Sequence, residues 1–255
     1  MYSVDDEDEN EWQELGLEPT VKPSDEYDAI LKHALSAASG LAMLSDACWE
    51  ALPALSVMDH VQLYTMRDNV LKPVECGTVI KAQGVLHGRP ERLAYAARDC
   101  NYETRKKWDT QFREVVQRQP LNKAHYVTAR IFMPTSPLIT IEDRWVGGVL
   151  YFDHHKPTDM YRIIFKSATH PLYDAPAGTK LVECLIGLYI QSMGNETCKV
   201  SLYVDILQST AGTWLKTPTK ERLYENLRSW MYELENAVVH WDINYTAPKS
   251  RTVVE

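Results

Sequence analysis

Few side chains able to do covalent or metal chemistry stand at the spacings such chemistry needs. Asp153-His154-His155 is the densest group of metal-ligating types. Neighbouring strand residues point to opposite faces, however, and the stretch reads as an exposed turn, so no metal site is expected. His240 lies beside the apolar stripe of a helical segment and reads as a packed histidine rather than a base. Glu142-Asp143 is a carboxylate pair too common to imply acid–base work. The chain carries no G-x-S-x-G, no phosphate-cradling glycine loop and no H-E-x-x-H. Its five cysteines (Cys48, Cys76, Cys100, Cys184, Cys198) are odd in number, scattered and without a CxxC pair. They read as buried free thiols, not as disulfides or zinc ligands. No cofactor is expected, and Asn195-Glu196-Thr197, a glycosylation triplet, reads as a turn.

The functional question therefore passes to the elements that could enclose something. A long helix is predicted from about Thr219 to Ile243, with Leu223, Leu227, Trp230, Leu234, Val238 and Trp241 on one stripe. Glu221, Arg222, Glu225, Arg228 and Glu235 are placed largely on the opposite side. A first helix is expected from Ser24 to Ser45, with Ser24 as its cap and Tyr27, Ile30, Leu31, Ala34, Leu35, Ala38 and Leu41 as its apolar face. His60 to Met66 and Val74 to Leu86 read as an early meander. Pro90 to Cys100 and the following YETRKKW return to helical spacing, with Pro90 well suited to a helix start. Six strands are then expected: Phe112 to Arg118, His125 to Met133, Arg144 to Phe152, Met160 to Ala168, Thr179 to Gln191 and Lys199 to Leu207. In the last of these Val200, Leu202, Val204 and Ile206 share one face and Ser201, Tyr203 and Asp205 the other, which predicts a sheet with one buried face. Runs of strands without βαβ alternation point to an antiparallel α+β fold. A curved sheet gripped by one long helix can hold an apolar cavity.

Charge narrows the partners. Residues 1 to 18 hold eight acids and no Lys or Arg; removing those eight from the chain's 35 acids leaves 27, equal to its 27 Lys and Arg. The net charge of −8 thus belongs to a tail predicted to be disordered, and the rest is balanced. A basic, aromatic-interleaved surface for nucleic acid is missing, and strong attraction to anionic lipid is not expected. No membrane-length apolar run and no basic-then-apolar leader is visible, so a cytosolic protein is expected. Its expected layout is a tail over 1–22, one domain over 23–246 and a short tail over 247–255.

Over about Asp25 to Tyr245 the sequence resembles the StAR-related lipid transfer (START) family. The resemblance is carried by Trp49-Glu50, by Val61 to Arg67, and by Gly84-Val85-Leu86 ahead of Pro90. Its most specific piece is Tyr102-Glu103-Thr104-Arg105-Lys106-Lys107-Trp108-Asp109, similar to the family's Tyr-Arg-x-x-Trp-Asp junction. Ser167-Ala168-Thr169-His170-Pro171 resembles Ser-x-x-His-Pro and leads to an omega-like loop ending at Gly178. Asp205 then leads through Gly212 and Trp214-Leu215 to the last helix. The chain departs from the family at Glu142-Asp143-Arg144-Trp145, where Arg-Asp-aromatic is usual, and lacks a proline between Asp205 and Trp214.

The resemblance implies an α+β helix-grip fold, a curved antiparallel sheet closed by the long C-terminal helix over a tunnel for one lipid. At roughly 0.8 kcal/mol per methylene, a sixteen-carbon chain gains on the order of 12 kcal/mol on leaving water. A carrier must therefore offer a dry cavity and open it only at a membrane, which makes the helix a moving lid and requires no covalent step. Arg105 and Asp109 occupy the places that the phosphatidylcholine transfer branch uses near the lipid phosphate. A guanidinium can donate two parallel hydrogen bonds to phosphate while a carboxylate orients it. The same residues also read as a solvated basic face and a helix-end acid. Phe132, Trp145 and Tyr151, backed by Tyr126 and Tyr161, are candidates for an aromatic cage around a quaternary ammonium, or plain packing residues. Leu227, Trp230, Leu234 and Val238 are expected to line the cavity, and Trp214-Leu215 to touch the bilayer. A monomer is expected, holding a phospholipid, with a sterol as the other candidate, and making transient membrane contact. Two other classes stay open: an enzyme of the wider START-like superfamily, and a ligand-gated regulatory adaptor.

Overall fold

Small residues let the first helix lie close to the sheet. In α1 (Asp25–Met43) the buried face is Tyr27, Leu31, Ala34, Ala37, Ala38 and Leu41. Ala38 approaches β9 (Cys184–Gly194) so closely that a Cβ on Gly187 would stand 3.3 Å from the Ala38 Cβ. The computed structural model describes residues 25–53, 60–68, 78–99, 101–121, 124–132, 143–169, 180–206 and 217–239. Ser24, Trp214-Leu215, His240, Trp241 and both expected tails lie outside the described residues.

After α1 come β1 (Trp49–Ala51), β2 (Val61–Met66), β3 (Thr78–His87), α2 (Pro90–Arg98) and α3 (Tyr102–Arg105). They are followed by β4 (Phe112–Pro120), β5 (His125–Phe132), β6 (Asp143–His155), β7 (Met160–Ser167) and β8 (Lys180–Leu181). The order ends with β9, β10 (Thr197–Ile206) and the long helix α4 (Thr217–Val239). Among the described residues ten strands form one curved sheet in the order β1-β2-β3-β10-β9-β7-β6-β5-β4, with β8 beside β6. The early meander and the late antiparallel run are joined where β3 pairs β10, from Thr78 opposite Ile206 to His87 opposite Thr197. At the β9–β10 turn Gly194, Asn195 and Glu196 all take positive φ. The glycosylation triplet is thus a hairpin turn, as its sequence suggested.

Four expectations need correction. The segment Thr179 to Gln191 is two strands, not one. Val182 and Glu183 separate β8 from β9, and β8 pairs β6 in parallel, so the sheet is not wholly antiparallel. Asp153-His154-His155 is the end of β6, paired with β7 through Met160, rather than an exposed turn. β10 is buried on both faces: Val200, Leu202, Val204 and Ile206 meet the cluster under α4, while Tyr203 joins the cluster under α1. Central strands covered by a helix on each side have no solvent face. Finally, Arg228 and Glu235, placed on the outer side of the last helix, are buried at 6% and 9% exposure.

The face beneath α4 and α2 holds Val61, Leu63, Ile80, Ala82 and Leu86 of the meander together with Leu93, Met231, Leu234 and Val238. Gly88 is needed where β3 turns into α2. Its φ is +128, and a Cβ there would lie 2.9 Å from the Val238 Cγ1. Among the described residues no helix is long and apolar enough to cross a membrane.

Candidate functional site

The site is built around α4 and the two places where polar groups fasten it. The first lies at the α3–β4 junction. Asn101 caps α3, its Oδ1 accepting from the Glu103 and Thr104 N–H groups. One turn on, Arg105 Nε donates to Asp109 Oδ2 at 2.9 Å, the i,i+4 geometry that the helical spacing predicts. Arg105 Nη1 also donates to the carbonyls of Ala97 and Asp99, each at 2.9 Å, and so ties down the end of α2. Asp109 is 3% exposed; the same Oδ2 accepts from Trp230 Nε1 of α4 at 3.0 Å, and Oδ1 from the Gln111 N–H at 3.1 Å. The neighbouring residues continue the seam. Thr110 donates through N–H and Oγ1 to Glu233, and Gln111 Nε2 donates to the Asn226 carbonyl at 2.8 Å. The Trp108 and Trp230 rings lie 6.1 Å apart.

The second fastening is a carboxylate between two histidines. Glu235 Oε1 accepts from the His87 N–H and lies 2.7 Å from His87 Nδ1, while Oε2 lies 2.8 Å from His60 Nε2. His60 immediately precedes β2, His87 ends β3, and the His60 ring meets Tyr232 edge-on at 4.8 Å. Burial by itself raises the Glu235 pKa, but the His87 backbone and ring bonds and the His60 contact outweigh it, so the carboxyl is held below its ordinary value.

Of the expected cavity residues, Leu234 and Val238 are buried in the cluster under α4, and Leu227 and Trp230 pack against it half-buried. Met231 and Ala237, both 0% exposed, belong there too and were missed, because the predicted stripe kept strictly to one row. The cage candidates are not brought together beneath α4. Tyr151 packs with the residues under α1, and Trp145, buried, stands on the same side of β6 as Tyr151 and Val149. Phe132 holds a register position opposite Asp143; its side chain, like that of Tyr126, lies outside the described residues. The ring that β6 does turn toward α2 is Phe152, 5.9 Å from Tyr161 and 4.3 Å from the Arg98 guanidinium. Its even position in β6, opposite in parity to Tyr151, was the available signal. Among the described residues no group of His, Cys, Asp or Glu is arranged to hold a metal ion.

No family model and no curated protein sequence matches the chain. Solved structures do. Human StAR-related lipid transfer protein 5 superposes with a TM-score of 0.64 at 12% identity, over 84% of this chain and 99% of that one. Human STARD10 gives 0.57 at 15% identity, over 88% and 82% of the two chains. The human StarD13 (DLC2) lipid transfer and protein localization domain gives 0.51 at 14%, over 82% and 96%. At such identities the likeness is one of architecture, and the fold of this chain is the helix-grip fold of StAR-related lipid transfer domains.

Proposed function

We propose that this protein binds one lipid between the inner face of its sheet and α4 and exchanges it at membrane surfaces. The observation that carries this reading is α4 itself, an amphipathic helix whose apolar side lies over the concave sheet in a fold that proteins named for lipid transfer share. Native mass spectrometry of protein purified from cells tests it. A copurified lipid at one per chain supports the reading, and an empty protein that also fails to move lipid between vesicles removes it.

Phosphatidylcholine or a related phospholipid is the favoured ligand, with Arg105 as the phosphate donor. Asp109 already orients the guanidinium by a 2.9 Å bond, as phosphate recognition requires. A second reading is favoured by the same residue's other bonds. Arg105 Nη1 is committed to the Ala97 and Asp99 carbonyls, which suits a structural tie and a ligand without phosphate, such as a sterol. Arg105→Lys keeps the charge and loses the planar fork. If phosphate is bound there, phosphatidylcholine binding falls about tenfold or more while sterol binding is unchanged; equal losses support the structural tie.

A further inference from the structure

The inner face of the sheet is not filled evenly. Strand register lines its side chains up in rows that run across the sheet. In one row Tyr161 of β7, Ile190 of β9 and Val200 of β10 are neighbours, and all three are buried. Two residues along, Ile163, Leu188 and Leu202 form a second row, buried again. Leu93, Ala94 and Ala97 of α2 complete this packing.

The third row differs. Leu150 of β6 pairs with Phe165 of β7, and Phe165 with Ile186 of β9. These large apolar side chains stand on interior strands, on the face that α4 covers, yet each is only half-buried. The helix repeats the pattern, for Leu227 and Trp230 are half-buried while Met231 and Leu234 are fully buried. Apolar surface left uncovered on an inner face is a cost that a bound apolar ligand removes. The apolar part of a ligand therefore belongs against Leu150, Phe165 and Ile186.

Between this row and the filled part stands Phe152. It holds the β6 place in the second row, opposite Ile163, and unlike its neighbours there it is half-buried. Three side chains hold its ring. The Arg98 guanidinium at the end of α2 lies 4.3 Å from the ring centroid, and the Tyr95 and Tyr161 rings lie 5.7 and 5.9 Å away. Arg98 also covers Tyr95 at 4.7 Å. A ring with a cation on its face and tilted rings around it cannot swing aside without losing these contacts together.

We propose that Phe152, held by Arg98, Tyr95 and Tyr161, is the end wall of the ligand chamber and sets the length of acyl chain that the protein accepts. This rests on the lipid-binding reading and narrows its ligand class. A chain that ends at the Leu150–Phe165–Ile186 row is enclosed whole, whereas a longer one leaves methylenes outside. Each methylene so excluded costs about fourfold in affinity, which makes the preference steep. Phe152 meets the methyl end of the chain; Arg98 is a positioning residue that acts through the ring.

The test mixes the full chain, stripped of lipid, with vesicles of equal parts dilauroyl-, dipalmitoyl- and diarachidoyl-phosphatidylcholine, and reads the bound lipid by native mass spectrometry. The parent should discriminate against the longest lipid by about tenfold or more. Phe152→Ala should shift the profile toward it by a similar factor, and Arg98→Leu should do so in part, with Arg98→Lys restoring the parent profile. Ile186→Phe, which fills the third row, should shift the profile toward the shortest lipid, and keeps the proposal testable should Phe152→Ala not fold. Leu86→Ala loosens the core on the filled side of Phe152 and should leave the profile unchanged. An unaltered profile in Phe152→Ala and Ile186→Phe, or the same shift in Leu86→Ala, overturns the end wall and leaves the lipid reading standing. A parent that takes up none of the three lipids overturns the phospholipid reading and the length rule with it.

Discussion

α1 and α4 cover opposite faces of the same sheet and are held by different means. α1 lies against it through Ala34, Ala37, Ala38 and Leu41, close enough that a Cβ on Gly187 would crowd Ala38 at 3.3 Å. That contact is continuous and dry, and it contributes dispersion and burial along the helix. α4 combines an apolar stripe with polar clasps to other elements, its Trp230 donating to Asp109 and its Glu235 carboxylate bonded to His60 and His87. Close apolar packing has no directional element and loosens gradually, whereas a clasp is either made or broken. The first suits a permanent wall, the second a part that must return to one place after each excursion.

The largest effects should come from the two packed leucines. Leu41→Ala under α1 and Leu234→Ala under α4 each cost about 2–5 kcal/mol in urea unfolding of lipid-free protein. Loading with phosphatidylcholine should recover part of the Leu234→Ala loss, because an acyl chain can occupy the vacated space, and none of the Leu41→Ala loss. Equal recovery at both would erase the distinction between wall and lid. Next in size is Asp109→Asn, which leaves the Arg105 guanidinium without its carboxylate and should cost about 3 kcal/mol in the same measurement. A loss confined to α4 and α3 exchange would sharpen the idea of a local clasp.

Acid should act on α4 before α1. Because the folded-state pKa of Glu235 is depressed, its contribution is fully present above the ordinary glutamate range and is lost as pH falls through the folded value. Amide exchange of 231–238 should therefore rise on acidification below pH about 4.5, the ordinary glutamate value. α1 should lag behind, and Glu235→Gln should remove the step. The smallest effect belongs to Lys81 on the α1 side, where burial lowers the ammonium pKa against the opposing pull of Asp46. Its Nζ lies over the Tyr64 and Trp49 rings at 4.9 and 5.4 Å. Lys81→Met keeps much of the volume and the ring contact, and thermal stability at neutral pH should stay within about 1 kcal/mol of the parent.

The same contrast explains what the sequence could disclose. α1 was legible because its alanines and leucines repeat at helical spacing and its burial is one-sided. Arg105 and Asp109 were legible as a pair through the resemblance of their segment to the family's junction, and the structure joins them as local i,i+4 partners. Glu235 was not: its donors, His60 and His87, lie far away along the chain, and periodicity assigns a glutamate opposite an apolar stripe to water. Arg228 was misplaced for the same reason, since α4 is buried over a wider arc than one stripe. The break at Val182-Glu183 was hidden because apolar residues continue through it, and the extension of β6 to His155 because polar residues mask a paired strand end. The cage reading lacked the parity of β6, which separates Phe152 from Tyr151.

The β3–β10 seam also shapes how the molecule can form. β1, β2 and β3 can associate as soon as they are made, but among the described residues the other neighbour of β3 is β10, reached after six further strands. Closing so long a loop costs entropy before any ladder bond rewards it, which places this protein among slow folders whose rate is set by topology. During synthesis the inward edge of β3, carrying Val79, Ile80 and Ala82, stays unpaired, a template for the wrong partner. Refolding should therefore slow steeply when the β3–β10 pairing is weakened, and chaperone dependence should reside in the meander, the part of the sheet made first and completed last.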